Sequence, residues 1–197
     1  MQGQLSQGAQ HLRLRLTTTA GSLDLEFDIG NATAELVGIP SASYIRANAN
    51  FWRSQAGASA VKLAGHWIQV PSSNGHALTS SLGEFAPTTL SRCLTEDHGT
   101  MSIAGRATVN GQPAVLLKDA GDKPGSSRSV MAVAATGTPY PLRYTASGGQ
   151  RPGGRVDVCN DGKGNNARGS ISFSEFGKVP PIQAPKGAIR LSSSSSS

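Results

Sequence analysis

Leu12, Leu14 and Leu16 alternate with Arg13, Arg15 and Thr17. Beyond a turn near Ala20-Gly21, Leu23, Leu25, Phe27 and Ile29 alternate with Asp24, Glu26 and Asp28. A side-chain period of two belongs to extended chain with one buried and one wet face; a helix would scatter these leucines around its axis. The chain must therefore build a half-buried sheet. The outward charges are basic on the first strand and acidic on the second. Paired antiparallel, they lie across from each other and help fix the register, each pair worth on the order of a few tenths of a kcal/mol. An acidic row can also hold a cation, but a solvated face accounts for it more simply. Gly30-Asn31 signals a turn, and residues 33–37 and 42–47 continue as short strands.

Tyr44 to Pro71 reads as strand, helix, strand. Asn48 or Asn50 can cap a helix by accepting a bond from the first turn's orphaned N–H groups. Trp52, Ala56, Ala60 and Leu63 then fall at helical spacing on one face. Gly65 stops the helix. His66 to Val70 resumes an extended chain, which Pro71 ends. A second helical region is expected over about 77–94. In it Leu78, Leu82 and Phe85 share a face, and Pro87 forces a break before Leu90, Cys93 and Leu94.

From residue 100 the pattern returns to strands. Met101, Ile103, Ala107 and Val109 alternate with small or polar residues, and Asn110-Gly111 is a hairpin turn. Residues 114–117 are a short apolar run. Residues 130–135 are apolar on both faces, as in a central strand. Tyr140, Leu142 and Tyr144 alternate with Pro141, Arg143 and Thr145. Residues 147–169 read as a Gly-rich loop holding Cys159, followed by a strand with Ile171 and Phe173 inward. Residues 179–182 read as an edge segment weakened by two prolines, and 188–191 as a last short strand. The order of strands, helix, strand, helices and strands predicts an α+β fold: one antiparallel sheet with helices inserted at one place.

The length of 197 residues suits one domain. Residues 1–10 are expected to be a flexible N-terminal segment, residues 11–191 the single domain, and residues 192–197 a disordered Ser tail. Only 15% of residues are charged, too few for a disordered chain. The net charge of +6 suits nucleic acid, anionic lipid or acidic polysaccharide. The Lys and Arg residues are scattered, however, where nucleic-acid binding shows a clustered stripe, so no nucleic-acid partner is expected. No apolar run is long enough to span a membrane as a helix. MQGQLSQGAQ contains no basic region followed by an apolar one, so no signal peptide is visible. Cys93 and Cys159 would pair in an exported protein and stay free thiols in a cytosolic one. The polar surroundings of Cys159 favour pairing, since buried thiols prefer apolar neighbours.

The runs YIRANANFW, LAGHWIQVP, VNGQPAVLL, VAATGTPYPLRY and ISFSEFGKVPPIQAPKGAIRL, in that order, resemble actinobacterial lipoproteins of the LprG/LppX type. They are more distantly similar to the LolA/LolB lipoprotein-carrier superfamily. The resemblance spans most of residues 10–191. It implies a curved antiparallel sheet, an unclosed half-barrel, with helices covering its concave face and an apolar cavity between them for acyl chains. It implies an exported, non-catalytic envelope carrier of lipid or acylated glycolipid, with no enzyme activity and no cofactor. The chain departs from the family in lacking a lipobox cysteine. The helix expected before the first strand is absent or shortened to residues 1–10.

On this reading the cavity is lined by Leu25, Phe27, Tyr44, Phe51, Trp52, Leu63, Trp67, Phe85, Met131 and Tyr144. Each also fits a packed core, and the residues alone do not choose between the two. Arg46, Arg53 and Lys62 are placed to face anionic headgroups, and an anionic membrane surface is a further expected partner. The four histidines, His11, His66, His76 and His98, show no metal-ligand spacing. No G-x-S-x-G elbow occurs. Residues 162–167 match a dinucleotide fingerprint without its strand and helix, so they read as a loop. Asp157, Asn160 and Asp161 do not fit calcium-loop spacing. The rival to a carrier is a cell-envelope sensor or scaffold domain binding a protein or cell-wall partner.

Overall fold

The structure is a computed structural model that describes residues 2–7, 10–19, 21–70, 89, 92–93, 96–157 and 159–191. In chain order the elements are β1 (Gln2–Gln7), β2 (Gln10–Thr19), β3 (Ser22–Ile29), β4 (Ala32–Ile39), β5 (Ala42–Ala47), α1 (Ala49–Ala56), a 3-10 helix (Ala58–Leu63), β6 (Ile68–Val70), β7 (Met101–Val109), β8 (Gln112–Asp119), β9 (Ser127–Ala134), β10 (Pro141–Gln150), β11 (Arg168–Ser172) and β12 (Ile189–Arg190). The fold is α+β and rich in antiparallel strands. The chain divides into two compact units. One comprises Met1–Arg13 with Thr88–Phe176, the other Leu14–Pro87 with Gly177–Ser197.

In the Leu14–Pro87 unit the strands run in the order β12, β6, β5, β4, β3, β2. All described pairings are antiparallel except β12 on β6. Register sorts the side chains. Phe27, Ala34 and Ala47 lie across from one another, as do Leu25, Leu36, Ile45 and Ile68. Helix α1 covers this face, and Trp52 packs among Ala34, Ala47 and Ile68. Alanines on β4 and β5 leave room for its indole. The helix starts as the sequence reading expects. Asn48 Oδ1 accepts from Phe51 N at 2.9 Å, and Asn48 Nδ2 donates to Asn31 O at 2.7 Å, tying the helix to the β3–β4 turn. It ends earlier than expected. Gly57, at φ 81°, breaks the α-helix at Ala56, and a 3-10 turn carries the chain on to Leu63. Ala56 is consequently exposed, while Ala60 and Leu63 still pack on the Trp52 cluster.

On the opposite face a charged row crosses the strands. Arg46 stacks over Trp67 and pairs with Glu35, which lies across from Glu26, which reaches Arg15 at 3.8 Å. Asp24 departs from the wet row predicted for it. It sits across from Val37, which in turn pairs with Tyr44, and both of these are buried. Burial first, then Glu35 and Glu26, hold its carboxyl above the usual carboxylate range.

In the Thr88–Phe176 unit the order is β1, β11, β10, β9, β8, β7, all antiparallel. Residues 1–10, expected to be loose, contain β1, which pairs along β11. Asn110 and Gly111, at φ 50° and 76°, make the predicted hairpin turn. Strand β9 is central, as its two-sided apolar sequence implies. Strand β10 runs on to Gln150, into what reads as loop; its Ala146 and Gln150 still pair with β9. Residues 179–182 form no strand. The second helical region, with Phe85, lies outside the described residues apart from Thr89, Arg92 and Cys93, which are helical.

Two measurements check this account. Asn48→Ala removes a cap and a turn contact and is expected to cost about 1–2 kcal/mol in denaturant unfolding. Because the folded state holds the Asp24 proton more tightly than the unfolded chain, stability falls as pH rises from the ordinary carboxylate range through the raised folded value, and the cost persists at neutral pH. Asp24→Asn is therefore expected to raise Tm at pH 7 and to leave it nearly unchanged near pH 3.

Candidate ligand-binding site

The Thr88–Phe176 sheet sorts its side chains onto two faces. Tyr144, Met131, Leu117 and Ile103 form one cross-strand row, and Ala146, Ser129, Asp119 and Met101 the next, on the same face. The other face carries Ala114, Ala132 and Leu116 with Val109, Ala134 and Leu142 as a packed cluster. Two bulges decide who goes where. The register skips a residue between Ile103 and Gly105, so Met101 and Ile103 share the first face while Ala107 lies across from Ala114 on the second. A second skip at Leu142 lets it join the packed cluster while Tyr144 stays on the first face. Strict alternation read from the sequence cannot see either change.

The first face floors a cavity of about 540 Å³, within the range typical of small-molecule sites. Among the described residues its floor is Met101, Leu117, Met131, Tyr144 and Ala146, with Asp119, Ser127 and Ser129 beside them. The helical Cys93 and, from the loops, Glu96, Asp97, His98, Cys159 and Asn165 close it. Tyr144 Oη lies 3.1 Å from Ser127 Oγ, so the phenol tip has a partner inside the cavity.

A polar frame holds the loops. Cys93 and Cys159 are joined, with Cα atoms 5.1 Å apart, across 66 residues of chain. Beside the disulfide Asn160 is buried at 2% exposure. Its Nδ2 donates to Asp97 Oδ2 at 3.1 Å and Gly153 O at 2.8 Å, and its Oδ1 accepts from Gly162 N at 2.9 Å. Gly125 and Gly154 flank this amide, and a Cβ on either would stand 2.7 Å from Nδ2. The buried Asp119 accepts from Gly99 N at 3.1 Å and Gly121 N at 2.7 Å. Asp122 accepts from Thr100 N at 2.7 Å and Thr100 Oγ1 at 2.6 Å. The Thr100 hydroxyl and amide hold the Asp122 carboxyl below the usual range. These aspartates fasten the turn before β7 to the turn after β8. Asp157, Asp161 and Asn165 close local turns by accepting from residues two further on.

Of the side chains proposed as a ligand lining, Met131 and Tyr144 meet at this cavity, together with both cysteines. The rest of the described ones lie in the other unit. Phe27, Phe51 and Leu63 pack with Trp52 as core, with ring centroids 6.2 Å apart for Phe27–Phe51 and 5.6 Å for Phe51–Trp52. Leu25 and Tyr44 are buried on opposite faces of the sheet, and Trp67 lies under Arg46. Arg46, placed by the sequence reading at a headgroup, is engaged by Glu35 and Trp67; Arg53 donates to Asn50. Met101, Leu117 and Asp119 were missed as cavity residues. Their signal was present in the alternation, but only pairing across β7, β8 and β9 puts them beside Met131.

No family model matches the chain, and no curated protein matches it. Among solved structures it is similar to a DUF1329 family protein from Desulfovibrio piger, at 11% identity over 90% of this chain and 87% of that one. The TM-score is 0.24, too low to carry fold or function across.

Replacing both cysteines by serine is expected to lower unfolding stability by about 4 kcal/mol in the chain-entropy estimate for this loop. Denaturant titration of the double variant against wild type measures it.

Proposed function

We propose that this protein is a non-catalytic carrier of the cell envelope that shelters the hydrocarbon chain of a lipid or acylated glycolipid, in the manner of the LprG/LppX and LolA-like carriers its sequence resembles. The observation that supports this reading is the cavity floored by Met101, Leu117, Met131 and Tyr144. Hydrocarbon moved from water onto such a floor gains roughly 25 cal/mol per Å² buried, so shape and apolar area matter more than particular side chains. The Cys93–Cys159 bond fits an oxidising compartment, hence export. The net charge of +6 suits approach to an anionic membrane surface, where such cargo would be collected or released.

A second reading, a scaffold domain holding a protein partner, draws on β7. Last in its sheet among the described strands, it exposes Ile103 at 75% and Met101 at 42%, and an apolar sheet edge can accept another strand.

The carrier reading is tested by binding of the uncharged fluorophore N-phenyl-1-naphthylamine and by native mass spectrometry of protein purified without detergent. Wild type is expected to bind the fluorophore and to carry extractable lipid. Ala146→Phe, which fills the floor, is expected to weaken binding by about tenfold or more with little change in Tm. A wild-type protein that neither binds the dye nor carries lipid would exclude the carrier.

A further inference from the structure

The chain is basic, yet its cavity is not. Among the described lining residues stand Glu96, Asp97 and Asp119, and neither Lys nor Arg. Sheet geometry enforces this. Lys118 lies across from Val130 and Arg143 across from Ala132, on the face turned away from the cavity, and Arg128 follows the same alternation. The nearby Arg92 is engaged by Glu96 at 3.6 Å and Asp157 at 3.9 Å. Asp97 and Asp119 are held differently. Their described partners are the Asn160 amide and the backbone N–H groups of Gly99 and Gly121, neutral donors that fix the carboxylates in place without cancelling their charge.

Carboxylates accept hydrogen bonds and donate none. In a partly desolvated cavity they repel a phosphate or carboxylate strongly and attract a cation or a hydroxyl. Resting on the carrier reading above, we propose that the cavity selects amphiphiles whose head group donates hydrogen bonds and carries no negative charge. The apolar tail lies along Leu117, Met131 and Tyr144, and the head lies toward Asp97 and Asp119. This reverses the expectation of anionic headgroups facing Arg46, Arg53 and Lys62. The positive charge of the chain would then serve the approach to a membrane rather than recognition of cargo.

Dodecylamine, monolauroylglycerol and laurate share one hydrocarbon tail and differ in the head, so calorimetric titration of the full chain with each separates tail from head. The amine and the glyceride are expected to bind about tenfold or more tightly than laurate. Asp97→Asn keeps an acceptor for Asn160 and tolerates the left-handed backbone at residue 97, where φ is 51°. It is expected to reduce the preference for the amine over the glyceride several-fold while Tm holds. Laurate binding as tightly as the other two would overturn the head-group selection and leave the carrier standing. Failure of all three to bind would overturn both. An amine preference unchanged in Asp97→Asn would overturn the role given to Asp97.

Discussion

A pleated strand has to send successive side chains to opposite faces, and the Thr88–Phe176 unit depends on that constraint. Leu116 and Leu117 are neighbours in sequence, yet one packs with Ala132 and Leu142 while the other floors a cavity. Cross-strand pairing then gathers residues far apart in the chain, Met101, Leu117, Met131 and Tyr144, onto one surface. The same alternation removes Lys118, Arg128 and Arg143 from that surface. Apolarity of the floor and the absence of strand Lys and Arg from it are thus two results of one geometric rule, adjusted by single-residue bulges at β7 and at Leu142.

A floor needs walls, and here they are loops. Loops have no ladder of their own to satisfy their backbone, so each polar group needs a specific partner. Asn160 supplies several at once from a buried position between Gly125 and Gly154, and Asp119 and Asp122 clamp the turns on either side of the β7–β8 hairpin. The disulfide limits how far the segments carrying Cys93 and Cys159 can separate in any state of the chain. With few large rings available, this unit holds its cavity open by polar bonds and one covalent link instead of by packing.

The Leu14–Pro87 unit spends its aromatic residues differently. Trp52, Phe51 and Phe27 fill the space between helix and sheet because β4 and β5 present alanines there. Its opposite face carries a charged row from Trp67 through Arg46, Glu35 and Glu26 to Arg15, mostly solvated and therefore of small energetic weight. Asp24 is the exception, set across from the buried Val37 by the register that serves its neighbours.

Local chemistry made much of this legible. The alternation at residues 12–29, the Asn48 cap, the Asn110-Gly111 turn and the polar setting of Cys159 each act over a few residues, and each predicts the element observed. The early end of α1 at Gly57 was visible as a glycine but outweighed by apolar spacing that continued beyond it. Strand β1 and the last residues of β10 read as loop because their partners, not their own sequences, make them strands. The amino-acid sequence by itself determined most of the extended and helical segments, because propensity, capping and period are properties of short stretches. Only the tertiary structure decided that Met131 and Tyr144 border a cavity while Trp52 and Phe51 form core, because burial depends on which distant strand lies alongside and where a bulge shifts the register.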